Sequence, residues 1–241
     1  MRSTTNHLRA ALSALLLALV VSHAAFAESP GEVQERLQKS IDVLRALTSA
    51  ADDAIPEFVL KRAEAVVVIP SLIKGGFIVG AEHGKGVMSV RNPDNHTWSP
   101  PAFVRLSGGS FGAQIGVQSV DLVLVVVNRD GIDDLLKDRF SLGANASVAA
   151  GPIGRSAKAA TDILLSAQIL AYSRARGIFA GATFDGATLL PDRDANELFY
   201  GHRHTTEEIV TLKATAPRQR PAIVWQWQDT LTMLTGPGIS R

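Results

Sequence analysis

Gly108-Gly109-Ser110-Phe111-Gly112 has the G-x-S-x-G spacing of a nucleophile elbow, which would make Ser110 the acyl acceptor of a serine hydrolase. That chemistry needs a strand, a sharp turn and then a helix, so that the hydroxyl stands exposed beside a histidine. Here Ala113, Ile115 and Val117 alternate into another strand, and the helix is missing. His202 and His204, with Glu197, Glu207 and Glu208 close in sequence, are the next candidates. His-x-His alone falls short of the three or four donors that zinc takes, and a polar turn after Gly201 accounts for these residues. Asp192-Arg193-Asp194-Ala195-Asn196 begins like a calcium loop, but Glu197 stands where the loop needs glycine and Arg203 where it needs a bidentate acid. Asp192 or Asp194 is better read as a helix cap. Gly151-Pro152-Ile153-Gly154-Arg155 lacks the Lys-Ser/Thr pair of a phosphate-binding loop. These failures predict a protein that is not an enzyme, needs no cofactor and holds no metal.

Cations remain. Lys61, Arg62, Lys74, Lys85 and Arg91 fall in one stretch of the chain. If glycine-rich turns gathered them, they would attract phosphate headgroups, each contributing about 1 kcal/mol near an anionic surface. Glycines between Gly75 and Gly86 would let backbone amides approach the same phosphate. Glu57, Glu64 and Glu82 are interleaved with these cations, so ordinary surface charge is the competing reading.

The elements that would position these groups can be read from pattern. Arg2, His7 and Arg9 precede an apolar run from Ala10 to Val21, and Ala25-Phe26-Ala27 offers small residues to a signal peptidase. Residues 1–27 therefore read as a cleaved secretory signal, and the chain is expected in a bacterial periplasm, soluble or peripherally membrane-associated. The absence of cysteine excludes disulfides and a lipoprotein anchor. Removing the leader's two arginines leaves 22 of 24 basic residues against 23 acidic ones, a net of −1, which gives nucleic-acid binding no support.

Val33, Leu37, Ile41, Leu44 and Leu47 recur at helical spacing, and Pro56 opens a second, shorter helix ending near Lys61-Arg62. From 65 to 128 the β-branched runs and glycines predict strands at 65–69, 76–82, 85–91, 102–107, 112–118 and 120–128. Asp130 to Lys137 reads as a short helix. Segments 145–150 and 162–173 are compatible with strand or helix, and 177–184 is strand-like. Asp192 to Gly201 reads as a capped helix, Thr205 can start another, and Trp225 to Leu234 is helix-compatible. The fold class is α+β. A strongly bent, mostly antiparallel, glycine-rich sheet or partial barrel packs with N-terminal and C-terminal helices. The expected divisions are helices at 31–63, a β core at 65–185, helices at 192–212, and a C-terminal extension at 213–241.

Several blocks, in order, resemble a SYLF domain, also called the Ysc84 actin-binding domain. They are Ala65-Val66-Val67-Val68-Ile69-Pro70 with Lys74-Gly75-Gly76-Phe77, Trp98-Ser99-Pro100-Pro101-Ala102-Phe103, and the Gly108–Gly112 turn. Further blocks are Leu142-Gly143-Ala144, Ala149 through Arg155, Tyr172-Ser173-Arg174, and Gly177-Ile178-Phe179-Ala180-Gly181. Asp194-Ala195-Asn196-Glu197 with Tyr200-Gly201 completes the set. The resemblance covers roughly residues 32–202. It implies lipid binding, of phosphoinositides in eukaryotic members, and actin binding in fungal ones. An exported bacterial member would meet anionic phospholipid rather than actin, and the implied lipid-binding residues here are Lys61, Arg62, Lys74 and Lys85. An envelope scaffold that offers its sheet face to a protein partner is the alternative.

Overall fold

The computed structural model describes residues 28–50, 54–77, 79–111, 116–153, 167–175, 186–211 and 221–236. Two helices lead the chain, α1 (Pro30–Ser49) and α2 (Glu57–Lys61). Four long strands follow: β1 (Ala65–Phe77), β2 (Val79–Val90), β3 (Ala102–Phe111) and β4 (Gly116–Val126). Then come α3 (Asp130–Leu135), β5 (Phe140–Ser141), β6 (Val148–Ala150), β7 (Ile169–Ala175) and β8 (Thr188–Pro191). The chain closes with α4 (Arg193–Tyr200), α5 (Thr206–Val210) and α6 (Ala222–Thr235). All eight strands belong to one curled, half-barrel sheet in the order β5-β8-β3-β2-β1-β4-β7-β6. Every described pairing is antiparallel except that of β6 with β7.

Helix α1 forms where its pattern requires. The Ser29 hydroxyl accepts from the Glu32 amide, the Glu32 carboxylate accepts from the Ser29 amide, and Pro30 occupies the first turn. Its stripe of Val33, Leu37, Ile41, Leu44 and Leu47 is buried on the sheet. Successive strand residues point to opposite faces, so the sheet builds two cores. Val66, Val68, Val87, Phe103, Val123 and Val125 pack beneath α1 with Trp227 and Leu231 of α6. Val67, Ile69, Met88, Val104, Leu122 and Leu124 enter the other core, closed by Leu135 of α3, Phe140 of β5, Tyr200 and Ile209. Burial on both faces is why the central strands read as continuous apolar runs instead of alternating.

The long strands depart from the expected short ones. The segments 65–69 and 76–82 were expected to be separate strands, but β1 continues to Phe77 through a bulge between Ile69 and Leu72. Pro70 sits in that bulge, where its missing donor costs no ladder bond. Ser71 takes φ of 55°, and its amide donates to Asp121 Oδ1 at 3.0 Å. Gly86 faces the bulge: a Cβ there would stand 2.0 Å from the Val68 carbonyl oxygen. Glycine thus permits a close strand crossing without ending the strand. Likewise 112–118 and 120–128 resolve into β4, whose described span begins at Gly116. The ambiguous 162–173 segment is strand from Ile169, where it pairs with β4. The strand-like 177–184 lies outside the described residues. Gly201 ends α4 in the left-handed conformation at φ 78°, as its position predicts. Helix α6, expected in an extension, lies in the first core with Trp227 fully buried.

Candidate functional site

The four lysine and arginine candidates do not share one pocket. Lys61 ends α2 and pairs with Glu57 at 2.6 Å, both side chains well exposed. Arg62 caps the same helix and is exposed. Beneath them Arg91 is buried with its guanidinium 4.9 Å over the Trp98 ring. It donates to the carbonyls of Lys61 at 3.4 Å and Gly236 at 3.5 Å, the electronegative ends of α2 and α6. Burial lowers its pKa from the usual guanidinium value, and Glu64 acts in the opposite sense. Arg91 is therefore a clamp between two helix ends.

Lys74 stands nine residues along β1 from Ala65, about 30 Å at the usual strand rise. Its register partner is Glu82, with which it forms a largely buried ion pair at 2.9 Å. Parity places this pair on the face of the second core. Gly108 makes room for it, since a Cβ there would meet Glu82 Oε1 at 2.8 Å. Lys85 lies on the opposite, α1-side face, 3.2 Å from Glu28 and 4.0 Å from Asp192. Arg36 completes that network: it pairs with Glu28, donates to Asp192 at 2.8 Å, and lies 5.4 Å over the Phe103 ring. Asp192, expected as a helix cap, makes no side-chain cap bond; Arg36 draws its carboxylate away from the helix.

Two further cations lie on the same face of the sheet as Lys85. Arg105 is its direct register partner on β3, and Arg174 on β7 faces Asp121 of β4. Both are exposed, and no carboxylate pairs with either among the described residues. Like charges directly across strands repel, so Lys85 and Arg105 leave a local positive surplus. On the same face, beyond the reach of α1, Ile73 is 48% exposed and Val117 is 80% exposed. His83 Nδ1 lies 3.0 Å from Ser107 Oγ between these rows. The available signal was the alternation in 73–85 and 105–119, where apolar runs give way to polar residues on one parity.

The remaining candidates have structural explanations. Ser110 continues β3, its backbone paired with Gly80, and β4 follows, so the strand–turn–helix of a nucleophile elbow is not formed there. His202 is exposed, and His204 Nδ1 lies 3.7 Å from Glu208. Glu208 accepts from the Thr205 amide in the box that caps α5, which lowers its pKa. Among the described residues no three His, Cys, Asp or Glu side chains are grouped to hold a metal. No described helix is long and apolar enough to cross a membrane.

Distant blocks of sequence meet around Phe103. The Asn196 side chain accepts from the Phe103 amide at 2.8 Å and donates to its carbonyl at 3.0 Å, extending the edge of β3 as a strand would. Tyr200 donates to the Pro101 carbonyl at 2.6 Å. The Trp98 indole donates to Thr235 at 3.1 Å, and the Trp227 indole to Ser89 at 2.8 Å. This is a domain whose signature side chains hold the scaffold together.

Residues 107–232 match the family described as Ysc84, Las17-binding protein actin regulator. Protein YSC84 of Saccharomyces cerevisiae is 33% identical over 196 residues, covering 78% of this chain and 42% of the relative. SH3 domain-containing YSC84-like protein 1 is 30% identical in Bos taurus, covering 79% of this chain and 57% of the relative. The human protein of that name is 31% identical over 71% of this chain and 51% of its own length. The chain belongs to the Ysc84, or SYLF, family. It spans roughly half the length of these relatives or less, and the description of the matched family is that of a Las17-binding actin regulator.

Proposed function

We propose that this protein is a non-catalytic module of the bacterial envelope that binds anionic phospholipid. The observation that carries the reading is the solvent-facing cationic row of Lys85, Arg105 and Arg174, two of whose members lack a carboxylate partner among the described residues. Unpaired guanidinium groups favour phosphate because they present several donors in a fixed fork. Lys74 stands on the reverse face of the same strands, tied to Glu82, and contributes through its strand's position. Lys61 and Arg62, at the far end of β1, form a separate station that reaches headgroups only in another orientation.

Co-sedimentation with phosphatidylglycerol-containing and pure phosphatidylcholine vesicles tests the reading. Binding is expected on the anionic vesicles alone. The pair Arg105→Ala, Arg174→Ala is expected to weaken it by about 2 kcal/mol, near thirtyfold. Equal binding to both vesicle types would overturn lipid-charge recognition. Loss of binding with Lys61→Glu, Arg62→Glu, but not with the arginine pair, would move the site to the α2 end.

A second reading, an interaction scaffold for a protein partner, is favoured by Trp225 and Met233, which are 55% and 72% exposed on α6. The description of the matched family, a Las17-binding actin regulator, fits such a role. A partner retained after delipidation and released by Met233→Glu would support it.

A further inference from the structure

The strands β1 to β4 outrun the helix that covers them. Antiparallel register aligns the rows beyond α1. Val117 lies across from Gly75, which faces Ala81 and then Gly109; the next row holds Ser119, Ile73, His83 and Ser107. Behind them, two more residues along the strands, come Asp121, Lys85 and Arg105, with Arg174 beside Asp121. All of these rows belong to the α1-side parity, because Val123, Val87 and Phe103 of the next row pack in the first core. Among the described side chains, this face therefore carries two large exposed apolar ones toward its outer end and three cations at its inner end. About 13 Å separates the Val117 row from the Arg105 row at the ordinary strand rise.

We propose that this uncovered face docks on an anionic bilayer with its outer end tilted inward, so that Ile73 and Val117 enter the interfacial layer while Lys85, Arg105 and Arg174 engage headgroup phosphates. The inference rests on the lipid-binding reading above and adds that the membrane is held as a surface, by insertion, and not as a single headgroup in a pocket. The row spacing suits it. Interfacial elements bury apolar side chains about 5–10 Å deep while their cations stay at phosphate level, and basic residues act within a Debye length of the surface. Charge also selects the bilayer over a second copy of the chain. A two-fold contact through this face would bring its three cations toward their own symmetry mates, opposed among the described residues by Glu28, which Arg36 and Lys85 already hold, and by the Asp121 carboxylate. That carboxylate is already engaged by the Ser71 amide. Gly75, Ala81 and Gly109 are small, so among the described residues no larger side chain of that row stands beside Val117.

The chain has no cysteine, so Val117→Cys and, separately, Met233→Cys each give one labelling position for an environment-sensitive fluorophore. With phosphatidylglycerol vesicles, a blue shift is expected at position 117 and none at 233. Ile73→Glu with Val117→Glu is expected to weaken vesicle binding by about tenfold or more with an unchanged melting temperature, because both positions are exposed. Full vesicle binding by that double variant, or a 117 label that stays aqueous while bound, would overturn insertion and leave lipid binding standing. No binding of the unaltered protein to any vesicle would overturn the lipid reading itself, and insertion with it. A blue shift at 117 that grows with protein concentration in the absence of lipid would assign the face to self-association instead.

Discussion

The same four strands live in two different solvents. Between Ala65 and Ile69 on β1, and alongside on β2 to β4, both faces are sealed and nearly every residue is apolar. From Ile73 outward one face meets water, and the strands turn to lysine, glutamate, histidine, serine and glycine. No strand ends where the change occurs; the helix cover does. Composition along a strand thus reports what lies over it, and hydrogen-bonded length is set separately by register and bulges.

Substitutions in the sealed and open halves test this contrast. Trp227→Ala, in the sealed half, is expected to cost about 3–5 kcal/mol in denaturant unfolding, since it opens a cavity and strips Ser89 of its indole donor. A loss under about 1 kcal/mol would show that α6 is no part of the core. Gly86→Ala is expected to cost about 1–3 kcal/mol, because its methyl group must displace the Val68 carbonyl at the bulge. Unchanged stability there would mean that the two strands separate without penalty.

The buried Tyr172 phenol gives a pH test of the sealed half. Burial raises its pKa well above the ordinary value of about 10, so the folded chain keeps this proton where the unfolded chain releases it. Its contribution is complete below pH 10 and is lost as pH rises toward the folded value. Phenolate absorbance from Tyr172, isolated by Tyr200→Phe, is expected to appear together with unfolding; a reversible titration near pH 10 in the folded protein would contradict its burial. Ser29→Ala should remove the α1 cap at a cost of about 1 kcal/mol, read from thermal unfolding. In the open half, Val117→Thr is expected to change stability by less than about 0.5 kcal/mol. A larger loss would show that this face is covered.

Legibility in the sequence follows the same division. The stripe of α1, the cap at Gly201 and the α+β class are all set by short-range pattern, and all appear as expected. Strand lengths were misjudged because Pro70 and the glycines punctuate local propensity, whereas the bulge that accommodates them depends on β2 and β4. The short strands β5, β6 and β8 carry too few residues to establish a period. At the candidate site, sequence spacing drew Lys61, Arg62, Lys74 and Lys85 together although strand rise and parity disperse them. Arg105 meets Lys85 only through the pairing of β2 with β3, and Arg174 shares their face only through the pairing of β7 with β4. Asn196 and Phe103 could be recognised as separate blocks, but their hydrogen bonds arise only when α4 folds back onto β3.

Helix α6 also sets a schedule. The first core takes its earliest wall from α1 and its last from Trp227 and Leu231, so closing it joins parts of the chain synthesised far apart in time. Such non-local closure is slow compared with hairpin formation. A growing polypeptide would have its ribbon of strands early and leave the first core open on one side until Trp227 and Leu231 had been added.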